Sequence, residues 1–239
     1  MIDRLAYTEV PFKKGRAMAL SIPIDQFESR TGIVRSDYDA SESRPKLVIA
    51  FRDLVRVESV QAMPMIYLKK LLNRVTLGGV VEERPYAECE VQFERVDTAN
   101  ALVAQTFVQN EKLLRILRNV SMVLDGHCVS HGFAKLTSLI IRGANAEGVP
   151  CIAHYLPSIM EKHDGQYCLL DGTHRGYLAQ AIGTTIEAIV LSRRLPPFPA
   201  RPQPWSAVQS VDLKPPPPER HFDLRPELFR DLKFVGIDG

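Results

Sequence analysis

Ten of the seventeen prolines fall between Pro196 and Pro226, four of them in the unbroken run Pro215 to Pro218. Proline has no amide hydrogen to donate and its φ is fixed, so a stretch this dense sustains neither a helix nor an interior strand. The chain after Arg194 therefore reads as a polyproline-type or extended arm crossing a surface. Trp205 and the closing segment Phe222 to Phe234, with Leu224, Leu228, Phe229 and Leu232 at helical spacing, predict that the arm docks back and ends in a short helix. Regular layers have to come from the residues before it.

Those residues are sufficient for a core. A chain of 239 residues, 45% hydrophobic and 24% charged, makes one large or two small domains without covalent staples. Its four cysteines form no C-x-x-C pair and read as reduced thiols. The opening Met1-Ile2-Asp3-Arg4-Leu5 is no secretory or lipidation signal, and no apolar run reaches membrane-spanning length, so a cytoplasmic protein without membrane contact is expected. The net charge of +2 comes from 30 basic and 28 acidic residues mixed along the chain, which does not favour a nucleic-acid partner.

Lys46 to Val60 is rich in β-branched and apolar residues and reads as strand. A helix follows, with Pro64 in its first turn, Met65, Leu68, Leu71 and Leu72 on its apolar face, and Gly78-Gly79 at its end. The longest helical pattern runs from Asp97 to about Leu124, capped by Asp97 or Thr98, with Leu102, Leu113, Leu114 and Leu117 in register. Its basic residues Lys112, Arg115 and Arg118 read as a solvated face. Further on, the turn pair Asp164-Gly165 precedes the apolar run Gln166 to Leu170, a buried strand. Then come Asp171-Gly172-Thr173-His174-Arg175, a helix with Tyr177, Leu178, Ala181 and Ile182 on one face, a stop at Gly183, and a β-rich run from Thr185 to Leu191. The local order is strand, tight turn, helix, strand.

Such a turn is suited to an anion. The first amides of a helix lack partners, the helix dipole favours negative charge, and Gly172 removes the side chain that would hold a phosphate away. Thr173 can cap the helix or donate its hydroxyl to a phosphate oxygen. Arg175 offers two parallel donors and is charged at every working pH. Asp171 repels an anion unless it meets Mg²⁺, acts as a general base or braces the turn. One charged hydrogen bond is worth about 1.5–3 kcal/mol and a helix terminus about 0.3–1 kcal/mol. Together these reach only millimolar affinity, so a ligand needs contacts beyond the turn.

The strand, the Asp171-Gly172-Thr173-His174-Arg175 turn and the helix resemble the signature of the ParB/sulfiredoxin superfamily, across about a quarter of the chain. The resemblance implies an α/β (α+β) fold: a ParB/sulfiredoxin-like mixed sheet with flanking helices, here with a Pro-rich tail added. It implies nucleotide binding (ATP, ADP or CTP, with Mg²⁺) by a phosphotransferase or NTPase. Gly172, Thr173, His174 and Arg175 become phosphate contacts, Asp171 and His174 the catalytic residues, and Asp171 the metal contact. The chain departs from sulfiredoxins, which carry a reactive cysteine inside the turn where this sequence has Thr173. It departs from partition proteins, whose helix-turn-helix domain is replaced by the tail. In the family's free-serine kinases an acidic residue near the amino terminus is the base, and Asp25 and Glu28 are the candidates here.

The expected organisation is an N-terminal α/β region over 1–132, separate or completing the same sheet, a ParB/sulfiredoxin-like core over 133–195, and the tail over 196–239. Val149 to Tyr155 is the strand expected to pair with Tyr167 to Leu170. Partners implied are a nucleotide and a small-molecule acceptor; a homodimer is compatible. The alternative is a non-enzymatic module recognising a phosphorylated ligand or nucleic acid, motivated by the basic residues from Lys112 to Arg118. Lesser candidates are Asp125-Gly126-His127 as a second turn, His127, Cys128 and His131 as metal ligands, His154 and His163 near the ligand, and Tyr155 or Tyr177 stacking on a base.

Overall fold

The computed structural model describes residues 20–38, 44–78, 80, 82–114, 138–213 and 215–237. They build a mixed α/β fold around two five-stranded sheets. The first sheet comprises β1 (Ser21–Pro23), β2 (Leu47–Ile49), β3 (Arg56–Ala62), β8 (Leu139–Ala144) and β9 (Pro150–Tyr155), in the order β1-β2-β9-β8-β3. Every residue of β8 is buried, as a strand covered on both faces requires. Helices α1 (Ile24–Thr31) and α2 (Met65–Leu72) bury Phe27, Tyr67, Leu68, Leu71 and Leu72 in the main core, together with Ile140 and Ile152 of this sheet.

The second sheet takes β5 (Glu90–Asp97), β6 (Ala101–Val103), β10 (Ser158–His163), β11 (Gln166–Asp171) and β12 (Thr185–Ser192), in the order β5-β12-β10-β11-β6. Ile159, Ile189 and Leu191 place one of its faces in the same main core, so the two sheets are packed together. The hairpin β10–β11 turns at Asp164 and Gly165, with φ of 49° and 83°, the doubly positive geometry that Asp-Gly favours in two-residue loops.

Helix α3 (Thr173–Ala181) joins β11 to β12. The expected order of strand, turn, helix and strand is present, but these two strands do not run parallel. β10 is antiparallel to β11 and parallel to β12, so β11 and β12 oppose each other on either side of β10.

Other expectations are corrected. The long helix from Asp97 is absent over the described residues: Glu90–Asp97 is strand, Thr98–Asn100 a 3-10 turn, and β6 and β7 (Phe107–Gln109) follow, with helix only at 110–114. Asp97 does cap, accepting a 2.9 Å hydrogen bond from the Ala99 amide, but the cap starts a single turn. Lys46 to Val60 is broken between β2 and β3 by a 3-10 turn at Phe51–Asp53. β9 pairs with β2 and β8, not with β11. Helix α2 is present, but Pro64 is its N-cap instead of part of its first turn, and it ends at Leu72, before β4 (Thr76–Leu77).

The tail docks, as Trp205 predicts. Its indole Nε1 donates to the Thr98 carbonyl at 2.9 Å, and β13 (Gln209–Val211) runs parallel to β7. The short helix α4 (Pro217–Arg220) begins on Pro217, a place that needs no amide hydrogen. The closing segment is no continuous helix: β14 (Arg230–Asp231) pairs with β4 between 3-10 turns at Pro226–Leu228 and Lys233–Val235. No helix among the described residues is long and apolar enough to cross a membrane.

Candidate functional site

The turn after β11 is shaped by three local features. The register between β10 and β11 slips by one residue between Ile159 and Met160, so β11 carries an extra residue just before the turn. Such bulges re-aim the residues that follow them. Gly172 occupies the N-cap of α3 at φ +85°, and no side chain caps the helix. Of the opening amides, that of Gly176 bonds back to the Gly172 carbonyl at 3.0 Å, whereas those of Thr173 and Arg175 have no acceptor among the described residues.

Beside Gly172 the position a Cβ would take is already crowded by neighbouring side chains, so glycine is the residue that fits there. A Cβ there would lie 2.4 Å from Ser158 Oγ and 3.1 Å from Arg175 Nη2, so both polar atoms converge on one point. Ser158 opens β10, is only 1% exposed, and its Oγ has no hydrogen-bond partner among the described residues. A buried hydroxyl left unpaired costs about 1–3 kcal/mol. Arg175 does not point into solvent. Its Nη1 donates to the Leu156 carbonyl at 2.6 Å and its guanidinium lies 5.4 Å from the centre of the Tyr155 ring. The donors on Nη2 and Nε have no acceptor among the described residues, so Arg175 is anchored yet still able to bind.

The remaining sequence candidates separate. Asp171 is half-buried and its carboxylate makes no ion pair or hydrogen bond among the described residues. Thr173 is buried as the first helical residue and caps nothing. His174 turns inward: it is 8% exposed and its Nε2 accepts the Gln109 amide of β7 at 3.0 Å, a structural contact where a phosphate ligand was expected. Tyr155 touches the site through Arg175, whose guanidinium lies over its ring. His154 and His163 do not approach the turn. The first bridges Tyr67 and Gly236 in the core, and the second contacts Glu161 at the far end of β10. Asp25 and Glu28 are engaged by Arg44 at 2.7 and 3.0 Å. Arg115, Arg118, Asp125-Gly126-His127, Cys128 and His131 lie outside the described residues.

No family model, curated protein or solved structure matches the chain. The site therefore has to be judged on its donors. Its groups are donors of the kind that pair with an anion: the Arg175 guanidinium, the Ser158 hydroxyl and the amides that open a nine-residue helix, gathered around a glycine. A metal held by protein alone does not fit, since no cluster of three or more His, Cys, Asp or Glu residues exists among the described residues. Mg²⁺ would meet Asp171 only as an ion already bound to phosphate oxygens.

Ser158 is the residue that sequence reasoning missed. It lies 14 positions before Gly172, in a strand with no turn signature of its own, and only the register of β10 against β11 brings it under the glycine. The Asp164-Gly165 pair is the one signal that could have found it, because a hairpin there lays the residues before Asp164 alongside Gln166–Asp171.

Proposed function

We propose that the protein binds the phosphate group of a nucleotide at the Asp171–Arg175 turn and acts as a nucleotide-dependent phosphotransferase or NTPase. The observation that carries this reading is the buried, unpartnered Ser158 Oγ converging with the Arg175 guanidinium beside Gly172. A phosphate accepts from both and from the Thr173 amide. In doing so it takes the donors of Arg175 that the Leu156 carbonyl does not hold and relieves the unpaired hydroxyl. Negative charge at this position is further favoured by the dipole of α3. Asp171, unpaired at the edge of the turn, takes the proton of an attacking hydroxyl or meets a phosphate-bound Mg²⁺. The Nε2 of His174 is committed to the Gln109 amide of β7, so that nitrogen is not the atom that meets the phosphate.

Thermal unfolding across ATP, ADP, GTP and CTP, each with and without Mg²⁺, tests the reading. Stabilisation by about 2.7 kcal/mol is expected at one hundred times the dissociation constant. Arg175→Ala is expected to abolish the shift and Ser158→Ala to weaken binding about tenfold. A panel that shifts nothing, or shifts wild type and Arg175→Ala alike, contradicts it. Turnover separates the enzyme from a plain binding module: release of phosphate or a phosphorylated acceptor, lost in Asp171→Asn while binding persists, is the enzymatic outcome.

A further inference from the structure

The opposite end of β10 carries a second cluster of polar side chains. Glu161, fully buried, accepts from Arg230 Nε and Nη2 at 2.8 Å each and from the Tyr86 hydroxyl at 2.8 Å. Its Oε2 also lies 3.1 Å from His163 Nε2. A carboxylate gripped through both oxygens by a guanidinium is an acceptor, so Nε2 is the ring nitrogen that carries the proton. Nδ1 is then the basic nitrogen, and it has no partner among the described residues. The imidazole is fixed from its other side by Phe198, whose ring centre lies 4.1 Å away.

This oriented histidine lines an open cleft of about 600 Å³, within the range of small-molecule sites. Leu195, Pro197 and Phe198 of the tail supply its apolar wall, and Arg225 and Asp164 its charges. Arg225 donates to the Phe198 carbonyl and has no acidic partner among the described residues. His163 lies five positions after Ser158 in β10, about 16 Å along a strand, so the cleft is distinct from the turn at Gly172.

We propose that this cleft is a second ligand site, taking a small hydroxylated monocarboxylic acid whose hydroxyl donates to His163 Nδ1 and whose carboxylate meets Arg225. The apolar wall packs the ligand's ring or chain. Asp164 on the rim opposes a second negative charge and so selects a monoanion. Glu161 and Arg230 are positioning residues: they set the tautomer of His163 without touching the ligand. The site stands or falls independently of nucleotide binding at the turn.

The test is a set of ring-nitrogen NMR spectra of the full chain, with the His163 signals assigned through His163→Gln. The chain is titrated to about 10 mM with 2-, 3- and 4-hydroxybenzoate, benzoate and phenol. The expected result is that the neutral ring carries its proton on Nε2 and that the His163 ring shifts with at least one hydroxybenzoate. Benzoate, phenol and the Arg225→Ala protein should each bind about tenfold more weakly. A neutral ring with its proton on Nδ1, no response to any hydroxybenzoate, or equal binding of benzoate overturns the proposal. His163 is half-buried and Arg225 exposed, so neither substitution removes core packing.

Discussion

Gly172 combines a backbone φ of +85° with a Cβ position 2.4 Å from Ser158 Oγ. The left-handed backbone alone costs a non-glycine residue about 1–2 kcal/mol, and the overlap adds to it. Gly172→Ala is therefore expected to lower stability by about 2 kcal/mol or more in urea unfolding, and Ser158→Gly in the same chain to recover the steric part only. An alanine variant as stable as the parent would contradict the packing described here. His154 makes a different residue-scale prediction. Burial depresses its pKa to about 4 from 6.5, with the Gly236 carbonyl opposing the shift weakly. The unfolded chain thus takes up a proton below pH 6.5 that the folded chain refuses, and stability falls as pH drops from 6.5 towards 4. The loss approaches about 3 kcal/mol at the lower end. His154→Gln, which keeps a donor and an acceptor, should flatten this part of the pH profile of unfolding; an unchanged slope would remove His154 as its source.

At the scale of elements, what could be read from the sequence was local. The Asp164-Gly165 hairpin, β11, α3 with its Gly183 stop, β12 and α2 are each specified by turn residues and patterns within a few positions, and each is present. The false helix from Asp97 came from leucines at helical spacing whose burial is decided elsewhere. β6 pairs with β11, 66 positions away at Ala101 and Tyr167, and that pairing was invisible in the local pattern. The apolar face of α3 was misjudged for the same reason. Ile182, which the pattern puts on one face with Tyr177, Leu178 and Ala181, is 78% exposed, and the helix instead buries Thr173, His174 and Gly176. The cause is Trp205, which arrives from the tail: a Cβ at Gly176 would lie 2.6 Å from its ring and 2.7 Å from Leu169. Gly176→Ala is therefore expected to cost about 1–3 kcal/mol and to shift the emission of the sole tryptophan to the red as the ring is pushed outward. Unchanged emission would mean that the tail does not pack on α3. At the candidate site, Gly172 and Arg175 were legible because their chemistry is local; Ser158 and the inward turn of His174 were not, because both depend on strands distant in sequence.

Across the whole molecule, the Pro-rich arm is part of the fold. Arg230 neutralises the buried Glu161 and also donates to the Pro196 and Pro197 carbonyls, so one guanidinium joins the start of the arm, its end and the central strand β10. Removing one member of a buried pair leaves a charge without compensation, which costs about 3–5 kcal/mol. Arg230→Met should lose that much in chemical denaturation, and a loss below about 1 kcal/mol would show that the pair does not hold the arm. The turn at Gly172 lies at one end of β10; the arm starts at the other, where Ser192 pairs with Lys162, and walls the His163 cleft there. The claim that an anion occupies the first end is tested most directly by amide NMR of the full chain titrated with pyrophosphate and with ATP. The Thr173 and Arg175 amides and the Arg175 side chain are expected to shift together in wild type, and Ser158→Ala and Arg175→Ala to weaken the response. Shifts elsewhere with these amides unmoved, or the same response in Arg175→Ala, would contradict it.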